Sequence, residues 1–216
     1  MTDHVLFFDT ETTGVPKNYK APMTDIDNWP RIIQLAWLVA DLQGNVITTR
    51  EVLIKPNGWI IPKADFWIRH GFDTDISLRD GRPLDEVMPE FVNDLQGCAW
   101  MVAHNLAFDH PIVGAEMIRL GMKSARKAEK ICTMEATVDL CKIPFGKERA
   151  WLSKKQGSKG GYKWPKLEEL HLFLFGKDFE GKHQAGGDVA ALKACFYELI
   201  ARGIINLKLP DHAAQH

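Results

Sequence analysis

Two carboxylates one residue apart close the apolar run "VLFFDTETTG": Asp9 and Glu11, with Thr10 between them. On a strand, residues i and i+2 share a face, so both acids would point to the same side. Like charges that close repel, and burial makes ionising both costlier still. The pair is either a solvated strand end or a seat for something positive, and for oxygen donors the fitting partner is a hard divalent cation, Mg²⁺ or Mn²⁺. Two further acids repeat the theme. Asp109 stands where "AWMVAHNLAFD" leaves an apolar run, and Asp188 follows "HQAGG", five residues after His183. Taken singly, each is an ordinary helix-start acid, favoured by capping and by the positive end of the helix dipole. Together they share a position: all lie at the ends of elements, where α/β sheets place their sites.

The elements that must hold these groups are legible in outline. Val5 to Asp9 reads as a buried strand, followed by turn residues through Gly14 and Pro16 and a loop to Pro30. "RIIQLAWLVAD" and "VITTREVLI", joined by "LQGN", read as a β-hairpin. Lys55 to Leu78 reads as irregular, with apolar anchors at Trp59, Ile61, Phe66, Trp67 and Ile68. In "RPLDEVMPEFVNDLQG" the apolar residues fall at helical spacing and stop at Gly97. A short buried strand from Ala99 to His104 precedes a helix from Phe108 to Gly121, then a short strand around Ile131 and a helical stretch from Met134 to Leu140. "KLEELHLFLFG" and "DVAALKACFYELIARG" are two further helices, each stopped by glycine. Strand, hairpin, helix, strand, helix and further helices imply an α/β domain with a mixed sheet.

Composition bounds the setting. The 216 residues are 45% hydrophobic and 25% charged, with a formal net charge of −1, so contact with nucleic acid would depend on local patches or bound cations. Four cysteines form no CxxC pair, which argues against a disulfide framework or structural zinc and for a reduced, cytoplasmic protein. "MTDHVLFF" does not read as a signal peptide, and no stretch reads as a membrane span.

Three motifs, in order, resemble those of the DnaQ-like (DEDD) 3′–5′ exonucleases, the group that contains the proofreading subunit of bacterial replicative polymerase. They are "FDTETTG" with Asp9 and Glu11, "HNLAFD" with Asn105, Phe108 and Asp109, and "HQAGGD" with His183 and Asp188. The histidine five residues before the last acid is similar to the DEDDh branch. The resemblance implies a ribonuclease H-like three-layer α/β/α fold with a mixed, mostly five-stranded sheet. Residues 1–216 would form a single exonuclease domain with a basic Gly/Lys-rich insertion around 142–163. It also implies two Mg²⁺ or Mn²⁺ ions held by Asp9, Glu11, Asp109 and Asp188, directly or through waters, with His183 as general base. The backbone around Thr10 and Thr12 would meet the terminal sugar and its 3′-hydroxyl, and Asn105 would support the site or the substrate backbone. Phe108, His104 and His110 read as structural. One departure stands out: where the family commonly has alanine and leucine-like residues, this chain has Gly186 and Gly187. Glycine disfavours a helix interior by about 1 kcal/mol relative to alanine, so a loose His183 loop is expected.

The implied substrate is a single-stranded or frayed nucleic-acid 3′ end, with DNA favoured over RNA. A 3′–5′ exoribonuclease of the oligoribonuclease-like or RNase T-like kind is the alternative. A non-catalytic binding module would be expected to have lost an acid or the histidine, and all five are present. Association with a polymerase is left open, although the short ending "NLKLPDHAAQH" leans towards a free-standing enzyme. The best local candidate for a nucleic-acid contact is Cys141 to Pro165. It holds Lys142, Lys147, Arg149, Lys154, Lys155, Lys159 and Lys163 against Glu148 alone, interleaved with Phe145, Trp151, Tyr162 and Trp164. Lys154 and Lys155 are candidate phosphate contacts and the aromatic rings candidate stacking faces. The other reading is a solvated loop with Trp151 and Trp164 tucked into the core.

Overall fold

Val5–Phe8 is apolar at every position because both faces of its strand are covered. The computed structural model describes residues 3–123, 128–146, 161–181 and 184–207. In it this run lies within β1 (His4–Thr12), the middle strand of a five-stranded sheet of order β3-β2-β1-β4-β5. β2 (Ile32–Ala40) and β3 (Val46–Leu53) add antiparallel on one side. β4 (Cys98–Ala103) and β5 (Glu129–Cys132) add parallel on the other. The expected mixed α/β sheet is observed.

Alternation along β1 divides the core in two. Phe8 turns towards α3 (Leu84–Gln96) and α4 (Leu106–Arg119), with its ring 5.7 Å from Phe91. Phe7 turns the other way, onto α8 (Ala185–Ala201) and α7 (Leu167–Phe175), its ring edge-on to Phe196 at 5.1 Å. Both phenylalanines are fully buried, each worth about 1.5–3 kcal/mol of apolar burial. Helices on both faces give the three-layer α/β/α arrangement.

Four boundaries differ from the sequence expectation. β1 continues to Thr12, so Asp9 and Glu11 lie inside a paired strand, opposite Ala36 and Gln34 of β2. Residues 55–78, expected to be irregular, hold α1 (Asp65–Arg69) and most of α2 (Thr74–Asp80). The latter is capped by the Asp73 carboxylate, which accepts from the amides of Asp75 and Ile76. α4 starts at Leu106, two residues before Phe108, and α8 at Ala185, three before Asp188. Among the described residues between β5 and α7 are two single-turn helices, α5 (Thr133–Ala136) and α6 (Val138–Cys141).

The fully buried Glu116 locks α4 to the sheet. One of its oxygens accepts from Arg31 Nε at 2.8 Å and from the Ile32 amide, the first of β2, at 3.2 Å. Arg119 Nη1 lies 3.2 Å from the same oxygen. These contacts tie α4, the helix that carries Asp109, to the start of β2, while the other Glu116 oxygen has no hydrogen-bond partner.

Candidate metal centre

β1 extends past the end of its parallel partner. Its pairing with β4 stops at Phe7, which leaves the later amides on that side without a strand to bond. Asp109, in the first turn of α4, fills the gap. Its Oδ1 accepts from the Thr10 amide at 3.1 Å and from the Thr10 hydroxyl at 2.7 Å. Thr10 is therefore the residue that holds Asp109, and the motif's middle threonine has a definite task. The helix turn begins at Asn105, whose left-handed backbone (φ 73°, ψ 49°) is one that asparagine tolerates better than other non-glycine residues. The Asn105 side chain makes no capping bond and stays half-buried.

Asp9 and Glu11 project from the opposite face of β1, towards α8. There the first turn of the helix brings Asp188 to them, and carboxylate oxygens of Asp9, Glu11 and Asp188 all lie within 4.8 Å of one another. All three are half-buried. Burial, more than any neighbour, drives the Asp9 carboxyl well above the usual carboxylate range, and the charges of Asp109, Asp188 and Glu11 add to it. Glu11 is pushed up to about 8, by burial and then by Asp188 and Asp109. Asp109 is raised to about 7 by burial, while its bonds from Thr10 pull the other way. Three acids raised in this way, with Asp188 beside them and only oxygen donors, suit a hard divalent cation, whose charge would favour their ionised forms.

The remaining expected site residues fall into two groups. Thr12 is buried at the end of β1, with its hydroxyl donating to the Gly14 carbonyl at 2.7 Å. Its own carbonyl accepts from Trp67 Nε1 at 2.9 Å, a contact made from the unexpected helix α1. His183, Lys154 and Lys155 lie outside the described residues, as does Trp151. Trp164 is 46% exposed and so does not supply the core residue that one reading of the basic segment required. Phe108 packs against the core beside α4, and His104 is bonded by both ring nitrogens, to the Thr133 hydroxyl and the Pro165 carbonyl, each at 2.9 Å. Both are structural, as expected.

Gly186 and Gly187 sit within the first turn of α8, and their role is close packing. A Cβ on Gly187 would fall 2.3 Å from the Gly181 carbonyl oxygen, and one on Gly186 would fall 2.3 Å from Glu51 Oε2. Glycine is used here for close approach, where the sequence alone suggested looseness.

No protein-family model matches the chain, and no curated protein matches it by sequence. Solved structures do match. Exonuclease I from Methylocaldum szegediense aligns over 93% of this chain and 41% of its own, with a TM-score of 0.65 at 19% identity. E. coli Exonuclease I in complex with a dA16 oligonucleotide aligns over 93% and 41%, with a TM-score of 0.67 at 17% identity. The same enzyme in complex with a dT13 oligonucleotide gives 0.69 at 16% identity, over 93% and 42%. At these identities the likeness is one of fold, and the chain spans only 41–42% of the length of these structures. The chain has the ribonuclease H-like α/β fold of the exonuclease I structures.

Proposed function

We propose that the chain is a metal-dependent 3′–5′ exonuclease, releasing nucleoside 5′-monophosphates from the 3′ end of single-stranded or frayed DNA. One observation carries this reading: Asp9, Glu11 and Asp188 converge to within 4.8 Å, with Asp109 fixed beside them on Thr10. The fold shared with exonuclease I, solved in complex with dA16 and dT13 oligonucleotides, supports single-stranded DNA as the polymer.

Bound divalent ions would supply an activated water and neutralise charge developing on the leaving 3′-oxygen. Asp9 would be the central ligand, with Glu11 and Asp188 within 4.8 Å of it, and Asp109, with Oδ1 committed to Thr10, would offer its second oxygen. His183 takes the proton of the attacking water, a role that suits imidazole, whose reference pKa of about 6.5 lies close to neutrality. The backbone around Thr10 and Thr12 meets the terminal sugar, Asn105 the substrate backbone, and Lys154 and Lys155 the phosphates upstream. The four cysteines are free, in keeping with a reducing, cytoplasmic setting.

The test uses 3′-labelled and 5′-labelled single-stranded DNA and RNA with Mg²⁺, Mn²⁺ or EDTA. Mononucleotides should leave the 3′ end of DNA and cease to appear in EDTA. Release from 5′ ends, or full activity in EDTA, would overturn the proposal, and faster release from RNA would move it to the exoribonucleases.

A further inference from the structure

The second strand interrupts its apolar run with a single amide, Gln34 in "RIIQLAWLVA". Gln34 lies opposite Glu11 across the β1–β2 ladder. Both ends of its side chain are used. Oε1 accepts from the Ala185 amide at 3.0 Å, and Nε2 donates to Glu51 Oε1 at 3.0 Å. The Ala185 amide opens α8 and belongs to the turn of donors that a helix cannot satisfy itself. Gln184, the N-cap, provides no side-chain cap, so the sheet supplies the acceptor in its place.

Glu51 continues the same contact. Its carboxylate rests where a side chain on Gly186 would stand, so the helix turn lies directly on the acid. On its other side the turn meets Gly181, whose carbonyl approaches Gly187 and accepts from the Gln184 amide at 3.2 Å. Asp188 is three residues beyond Ala185 on this clamped turn. A carboxylate cluster built from two elements can chelate an ion only if those elements are held in register to within fractions of an ångström.

We infer that Gln34 and Glu51 are positioning residues of the metal centre. They fasten the first turn of α8 to β2 and β3, and so set how far Asp188 stands from Asp9 and Glu11. This role rests on the metal-dependent reading above.

The test is the affinity of the full chain for Mn²⁺ alone, read by electron paramagnetic resonance without nucleic acid, beside thermal melting and steady-state kinetics. Gln34→Met keeps the length and removes both hydrogen bonds. It should weaken Mn²⁺ binding about tenfold, the lower end of the effect of losing a residue that orients a metal ligand. It should lower kcat while leaving KM for the oligonucleotide in place. Glu51→Gln retains an oxygen acceptor for Gln34 Nε2 and should bind Mn²⁺ nearly as the unaltered chain does. Gly186→Ala decides the matter if Gln34→Met fails to fold. Alanine is the better helix former, so melting should hold or rise, while the displaced Glu51 lowers Mn²⁺ affinity. Unchanged Mn²⁺ affinity in Gln34→Met, or in Gly186→Ala where that variant decides, would overturn the positioning role alone. An unaltered chain that binds no Mn²⁺ would remove the metal reading and this role with it.

Discussion

Asp109 and Thr10 face each other across the open edge of β1, and the threonine gives the carboxylate both its amide and its hydroxyl hydrogen. Hydrogen bonds to a charged group are worth about 1.5–3 kcal/mol, and here they hold down a carboxyl that burial raises to about 7. Thr10→Val keeps the shape and the amide but removes the hydroxyl bond. The Asp109 carboxyl should then rise further, moving the acidic limb of the pH–rate profile to higher pH. Activity near neutrality should fall about tenfold, the scale on which ligand-orienting partners act. A profile that does not move would separate the threonine from the chemistry.

The raised acids also make a prediction about stability without metal. A carboxyl whose folded pKa exceeds its unfolded value binds more protons when folded, so it costs stability as pH climbs between the two values. For Glu11 that window runs from 4.5 to about 8, and for Asp109 from 3.8 to about 7. Half-buried His104 and His110 are lowered from 6.5 to about 4, chiefly by burial, and act in the opposite sense. Their contribution grows from pH 4 to 6.5 and is then complete. Melting of the metal-free chain in EDTA should therefore fall from pH 6.5 to 8, and Mn²⁺ should restore it most at pH 8. A melting temperature that rises over this interval would contradict the electrostatics described here.

Asp9→Asn separates chemistry from stability. Removing the central charge should reduce hydrolysis at least about a thousandfold, since several kcal/mol of transition-state stabilisation pass through the metal site. The same substitution relieves like-charge repulsion. In EDTA at pH 8 the melting temperature should therefore hold or rise. An inactive variant that also melts earlier would mark Asp9 as a structural residue.

Trp67 reaches from α1 to the end of β1, where its indole N–H donates to the Thr12 carbonyl. Trp67→Phe leaves that carbonyl without its donor, at a cost of about 1–3 kcal/mol in unfolding free energy. If Thr12 meets the terminal sugar as proposed, KM should rise more than kcat falls. Denaturant titration and kinetics on the same preparation check both.

Lys154, Lys155 and Lys159 offer a test by salt. If all three meet phosphates of a single strand, replacing them with alanine should flatten the slope of log affinity against log salt by about 2. An unchanged slope would leave the basic segment as a solvated loop.

Much of this was visible in the chain itself. The apolar runs gave the strands, and the acids at their ends gave the candidate site. The two short helices between residues 55 and 80 escaped because each spans two turns or fewer, although Asp73 ahead of Thr74 and Asp75 was an available capping signal. Gln34 was also visible as one polar residue in a buried strand, yet its partners, Glu51 and Ala185, are distant in sequence. The glycine pair shows the limit most clearly. Local propensity reads Gly186 and Gly187 as weakness in a helix, whereas their reason lies in Glu51 and Gly181, which only the folded chain brings against them.

The described ends of the basic segment meet each other. The Lys163 amide donates to the Ile143 carbonyl at 3.0 Å, the Lys163 ammonium is paired with Glu169, and the Pro165 carbonyl is held by His104. Residues 143 and 163 are thus held together by the fold itself, whatever chain joins them. Length or charge could therefore be exchanged between these two feet without rebuilding the sheet that carries Asp9 and Glu11.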